Sequence, residues 1–128
     1  MNIIIDTNVL CGLFDEADVH HEEAERLFES VHGARIFIPC IVVAELLASD
    51  VPGKKVLTLC KKLADTFLPT TEQELSAITN LPSSIRKTLK ANDCLILAHA
   101  ETHNAELYTF DQKLKKAYTK LQHDVEAR

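Results

Sequence analysis

Two rhythms of apolar residues alternate along this chain. Short unbroken runs such as Ile3-Ile4-Ile5, Ile36-Phe37-Ile38, Phe67-Leu68 and Leu107-Tyr108 read as strands buried on both faces, because they do not alternate with polar residues. They predict strands over 2–6, 35–38, 67–69 and 106–109. Between them the spacing lengthens to three and four, as helix faces require. Val9, Leu10, Leu13 and Phe14 mark a first helix, with Thr7 and Asn8 as its candidate caps. Ala24, Leu27, Phe28 and Val31 mark a second, closed by Gly33, and Pro39 starts a third that runs to about Ser49. Val51-Pro52-Gly53 turns the chain into an amphipathic stretch through Val56, Leu59 and Leu63. Thr71 with Glu74 has the form of a capping box. Ser84 to Lys90 is worth a turn or two of helix, Asn92 caps a helix over 93–103, and Asp111 opens one toward Leu121. From His123 onward the pattern is weak, and a final strand there is a minor expectation.

Strands alternating with helices predict βαβ units and a mostly parallel sheet covered on both sides. In such sheets chemistry sits beyond the carboxyl ends of the strands. Four acidic residues interrupt apolar surroundings near those ends. Asp6 ends the first strand, and Glu45 splits Ile41-Val42-Val43-Ala44 from Leu46-Leu47-Ala48. Asp93 opens Cys94-Leu95-Ile96-Leu97-Ala98, and Asp111 follows Leu107-Tyr108-Thr109-Phe110. Placing even a neutral polar group in an apolar setting costs roughly 2–7 kcal/mol without compensation. No Lys or Arg adjoins any of the four. Asp6, Asp93 and Asp111 each also suit a helix cap, worth roughly 0.3–1 kcal/mol from the helix dipole. Glu45, two turns into its helix, lacks that explanation; its ordinary alternative is a distant salt bridge. Gathered together, the four carboxylates would repel one another, and a hard divalent cation, Mg²⁺ or Mn²⁺, is the simplest remedy. Such a site suits hydrolysis of a phosphodiester.

Composition narrows this further. The 128 residues are 46% hydrophobic and 26% charged, enough for one globular domain spanning 1–128, with no internal repeat and no run long enough for a membrane span. The absence of a basic, apolar leader favours a cytoplasmic setting. A net charge of −5 argues against a plain electrostatic binder of nucleic acid. Positive charge is nonetheless clustered at Lys54-Lys55, Lys61-Lys62, Arg86-Lys87 with Lys90, and Lys113 to Lys120. These are solvated helix faces or a local groove for phosphates. Cys11, Cys40, Cys60 and Cys94 form no C-x-x-C pair and read as small buried hydrophobes. His99 and His103 stand four apart on one helix, a spacing that metal pairs use, but the plain expectation is ordinary surface or core-edge histidines. Tyr108, Phe110 and Tyr118 read as core rather than as stacking platforms for bases.

The segments Ile3-Ile4-Ile5-Asp6-Thr7-Asn8, Val43-Ala44-Glu45-Leu46, Asp93-Cys94-Leu95-Ile96-Leu97-Ala98 and Tyr108-Thr109-Phe110-Asp111 resemble, in this order and spacing, the PIN-domain nucleases. The resemblance covers residues 3 to about 116. It implies a three-layer α/β/α sandwich and a metal-dependent ribonuclease whose acidic quartet is Asp6, Glu45, Asp93 and Asp111. Thr7, Asn8 and Thr109 match positions that support the quartet through hydrogen bonds. The small single domain is most similar to VapC-type toxins of type II toxin–antitoxin pairs. That likeness implies an RNA substrate, a small antitoxin partner and a homodimer, for which the helices through Ala24–Val31 and Val56–Leu63 offer apolar faces. RNA-processing and non-catalytic RNA-binding PIN proteins share the same pattern in whole or part. Two other classes fit less well. A receiver-type phosphoacceptor domain needs a Lys at a late strand end, where Thr109 is followed by Phe110-Asp111. An Asp-nucleophile phosphatase needs a second Asp two residues after Asp6, where Asn8 stands.

Overall fold

Ile3, Ile4 and Ile5 form the heart of the sheet. In the computed structural model, which describes residues 1–126, all three are fully buried. Neighbouring strand residues face opposite sides, so this burial requires cover on both faces. The strands are β1 (Asn2–Ile5), β2 (Arg35–Pro39), β3 (Thr66–Leu68) and β4 (Glu106–Tyr108), in the order β3-β2-β1-β4 and all parallel. The helices are α1 (Thr7–Phe14), α2 (His21–Ser30), α3 (Cys40–Ala48), α4 (Gly53–Leu63), α5 (Glu72–Thr79), α6 (Ser83–Thr88), α7 (Ala91–Thr102) and α8 (Gln112–Glu126). Their contacts fall into two sets: α1 with α2 and α3, and α3 with α4; then α5, α6 and α8 each with α7. The expected three-layer α/β/α arrangement is therefore present.

The chain moves outward from β1 through β2 to β3, then crosses back to place β4 on the other side of β1. That reversal makes the carboxyl ends of β1 and β4 a switch point, where parallel sheets open a crevice. The register sets Ile5 opposite Tyr108, and the Asp6 amide donates to the Tyr108 carbonyl at 3.0 Å. Asp6 and Thr109 thus leave the sheet side by side. Val9 and Leu10 of α1, Val42 and Leu46 of α3, Ile96 and Leu97 of α7 and Leu114 of α8 anchor the helices on the sheet. Burying each such side chain contributes about 1.5–3 kcal/mol before entropy is counted.

Several local expectations need adjusting. Of the three cap candidates Asp6, Thr7 and Asn8, Asp6 is the N-cap of α1. Asn92 lies inside α7, which starts at Ala91 after Lys90 and has no side-chain cap. The tail forms no final strand among the described residues; α8 continues through Glu126, and 127–128 lie outside them. Cys60 and Cys94 are buried as expected, but Cys40 is exposed on the first turn of α3. Gly33 has φ of +87°, the left-handed turn that leads from α2 into β2 and that glycine adopts without strain. Thr71 and Glu74 do form the capping box of α5.

Candidate active site

Thr109 organises the end of the sheet. Its hydroxyl donates to Asp6 Oδ2 at 2.7 Å and accepts from the Asp111 amide at 3.0 Å and from Asn8 Nδ2 at 3.4 Å. This uses the one donor and two acceptor positions of a hydroxyl. Asn8 Oδ1 accepts in turn from the Phe110 amide at 3.0 Å, stitching the start of α1 to the turn after β4. Asp6 Oδ1 accepts from the Thr7 amide at 2.7 Å, so Thr7 supports Asp6 through its backbone; its own hydroxyl is buried without a partner. Asp111 Oδ1 accepts from the amides of Lys113 and Leu114 at 2.9 and 3.2 Å, capping α8. Capping and site duties coincide at Asp6 and Asp111, because a helix start at a strand end both wants a carboxylate and aims it beyond the sheet.

Glu45 approaches from α3 and Asp93 from the first turn of α7. Burial raises the Asp6 carboxyl above its ordinary value; hydrogen bonds from Thr109 and Thr7 offset part of this, and Asp111 adds to it. Burial also raises Glu45, and the charges of Asp6 and Asp93 push it further, with Asn92 and Lys90 pulling the other way. Asp93 is raised by burial, Asp6 and Asp111, against Lys90. Glu45 therefore lies in the field of Asp6 and Asp93, and these two lie in the field of Asp111. Among the described residues, no Lys or Arg side chain forms an ion pair with any of them. Glu45 Oε1 is buried with no hydrogen-bond partner, and no guanidinium or ammonium clasps it, among the described residues. A cleft of about 360 Å³ beside two of them is lined by Lys90, Asp93, Asp111 and Lys113.

A PIN domain family model matches residues 3–120. The chain belongs to the PIN domain family. It is a family of nucleases, and the matched span contains all four carboxylates. Among solved structures, the chain is similar to Mycobacterium tuberculosis VapC20, described as a sarcin-ricin loop cleaving toxin: TM-score 0.70 and 19% identity, covering 90% of this chain and 94% of that one. It is also similar to VapBC2 from Rickettsia felis bound to a promoter DNA fragment (TM-score 0.68, 21% identity, covering 91% and 93%). FitAcB from Neisseria gonorrhoeae gives a TM-score of 0.66 at 24% identity, covering 93% and 94%. Comparison with curated proteins returned no match. At these identities the structural likeness carries the fold, and the PIN fold is what this chain shares with them.

The donor set of this PIN domain fits a hard divalent cation. It is all oxygen; burial, with the charges of neighbouring acids, holds Asp6, Glu45 and Asp93 above their ordinary values, and one oxygen of Glu45 has no hydrogen-bond partner among the described residues. The sequence singled out these residues but not a second cluster. His99 is completely buried rather than a surface or edge residue, and burial holds its imidazole below the ordinary value. Beside it lies Glu74, also buried. The signal available was the pairing of His99 with His103 four residues on; what hid it was α5, whose packing on α7 no local pattern reveals. Phe110, expected in the core, is half-buried against it and stacks on His20 with ring centroids 4.6 Å apart.

Proposed function

We propose that this chain is a Mg²⁺- or Mn²⁺-dependent endoribonuclease, the toxin of a type II toxin–antitoxin pair. The observation that carries the catalytic part is Glu45, held in the field of Asp6 and Asp93 with one buried oxygen unpartnered and no ion pair to a Lys or Arg among the described residues. Asp6, Glu45 and Asp93 would hold one ion, with Asp111 completing it or helping to hold a second. A bound divalent ion lowers the pKa of its water, neutralises phosphate charge and, as a pair, stabilises the leaving oxygen. The chain's own residues do the rest. Thr109 and the Thr7 amide fix both oxygens of Asp6, so that it does not have to find its position when substrate arrives. Asn8 ties Asp6's helix to the Asp111 turn and keeps the two carboxylates in one frame. Lys90 and Lys113, at the cleft wall, supply positive charge for the phosphates on either side of the cut.

The antitoxin and the RNA substrate are supported by likeness to VapBC2, VapC20 and FitAcB and by the nearly full overlap with those chains; the homodimer rests on the sequence resemblance to VapC-type toxins alone. An RNA-processing PIN nuclease would share the same site and differ in having no antitoxin. Single-stranded RNA incubated with purified protein should be cut with Mn²⁺ or Mg²⁺ and spared with EDTA. Asp6→Asn should lose roughly 100-fold or more in rate. Cutting that persists in both EDTA and Asp6→Asn would sink the nuclease assignment. The toxin assignment fails separately, if expression does not arrest growth and the product of the adjoining short gene does not copurify. Light scattering on the purified chain reads the dimer.

A further inference from the structure

The acidic quartet stands at the carboxyl edge of the sheet, and a different set of ligating groups converges at the other end of α7. His99 and His103 project from successive turns of that helix, and Glu74 faces them from the first turn of α5. One donor atom from each of the three lies within 4.8 Å of the others. His99 Nδ1 and Glu74 Oε1 are 3.9 Å apart, too far for a hydrogen bond. Neither nitrogen of the fully buried His99 has a partner among the described residues. A buried imidazole with two idle nitrogens, aimed between a carboxylate and a second imidazole, calls for a ligand.

We propose that Glu74, His99 and His103 form a second metal site, for a zinc-class transition ion, which staples α5 to α7. Two imidazoles and one carboxylate are a recurrent zinc donor set, leaving a fourth position for water. Bonds of about 2.0–2.2 Å put tetrahedral ligands roughly 3.3–3.6 Å apart, so the observed spacing needs to close by only a few tenths of an ångström between His99 and Glu74. Imidazole favours zinc, nickel or copper over Mg²⁺, which separates this site chemically from the oxygen-only quartet. Its support is already built. Glu74 Oε1 accepts from the Thr71 amide at 2.9 Å and from the Thr71 hydroxyl at 2.8 Å, which fixes the carboxylate beside His99. The His103 ring packs against Phe37, centroids 5.9 Å apart, and its carbonyl accepts from Asn2 Nδ2 at 3.3 Å. Asn2 and Phe37 belong to the beginning and middle of their strands, and Asp93 is about 9 Å of helix rise from His99. The two sites therefore sit toward opposite ends of the sheet, and this one stands whether or not the other cuts RNA.

The test is Co²⁺ or Zn²⁺ binding to protein stripped with chelator. Wild type and Asp6→Asn should both take up a single tight equivalent of Co²⁺ with the intense visible bands of a four-coordinate centre, and Zn²⁺ should displace it and raise Tm. His103→Gln, at a half-buried position, and Glu74→Gln should each weaken this binding roughly tenfold or more while leaving circular dichroism unchanged. If one of them misfolds, the other carries the comparison. The proposal is overturned if stripped wild-type protein binds neither ion tightly, if the bands survive in both variants, or if they vanish in Asp6→Asn.

Discussion

Thr109 concentrates the most consequence in one small side chain. Its hydroxyl touches Asp6, Asn8 and the Asp111 amide, so Thr109→Val leaves the methyl packing and removes all three bonds. We expect metal-dependent cleavage to fall roughly 10- to 100-fold with the fold retained, as measured by rate against circular dichroism. Asp93 gives a prediction on stability. Its carboxyl is raised above the ordinary 3.8 by burial, Asp6 and Asp111, so the folded chain holds that proton more tightly than the unfolded one. Stability from this group is therefore greatest below pH 3.8. It declines as pH rises from there through the raised folded value and stays low at neutrality. Metal-free Asp93→Asn should melt at a higher temperature than wild type near pH 7, and the difference should disappear in acid. A lower Tm for the variant at pH 7 would contradict the electrostatic account. The quartet itself was legible in sequence because a charge inside an apolar run is anomalous wherever it occurs. The burial of His99 was not, because helix α7 is apolar nearly all round and nothing local says which neighbour covers which side.

Helices α1 and α2 approach closely at Gly12. Gly12 is buried there, and a Cβ built on it would stand 3.1 Å from the His20 carbonyl oxygen and 3.3 Å from the Ala24 Cβ. The obstacle is backbone and a short side chain, which have little room to yield. Gly12→Val should cost about 1–3 kcal/mol in denaturant unfolding through overpacking, despite the better helix propensity of almost any residue over glycine. Helix and strand positions followed from the sequence to within a residue or two at most boundaries, since the apolar spacing of three to four or of one is a local property. The ends were read less well. The first strand ends with its apolar run at Ile5, one residue before the expected Asp6, which leaves Asp6 to cap α1. The weak tail after Leu121 continued as helix.

The whole molecule carries a net charge of −5, and several of its buried or half-buried acids gather at one edge. A divalent ion that binds only the folded state should add stability by mass action, about 2.7 kcal/mol at a hundred times its dissociation constant. Millimolar Mg²⁺ or Mn²⁺ is therefore expected to raise Tm near pH 7, less so in Glu45→Gln, and not at all at a pH low enough to protonate the quartet. An equal rise in wild type and Glu45→Gln would show that the ion binds elsewhere. From the amino-acid order alone came the alternation of strand and helix, the parallel sheet, and the identity of the residues set apart by chemistry. Each of these depends on neighbours a few positions away. Folding alone decided that β4 returns beside β1, so that Thr109 meets Asp6 across a separation of 103 residues, and that Glu74 and His99 share one buried pocket. Those contacts join segments distant along the chain, and they arise only because two faces of one sheet must both be covered.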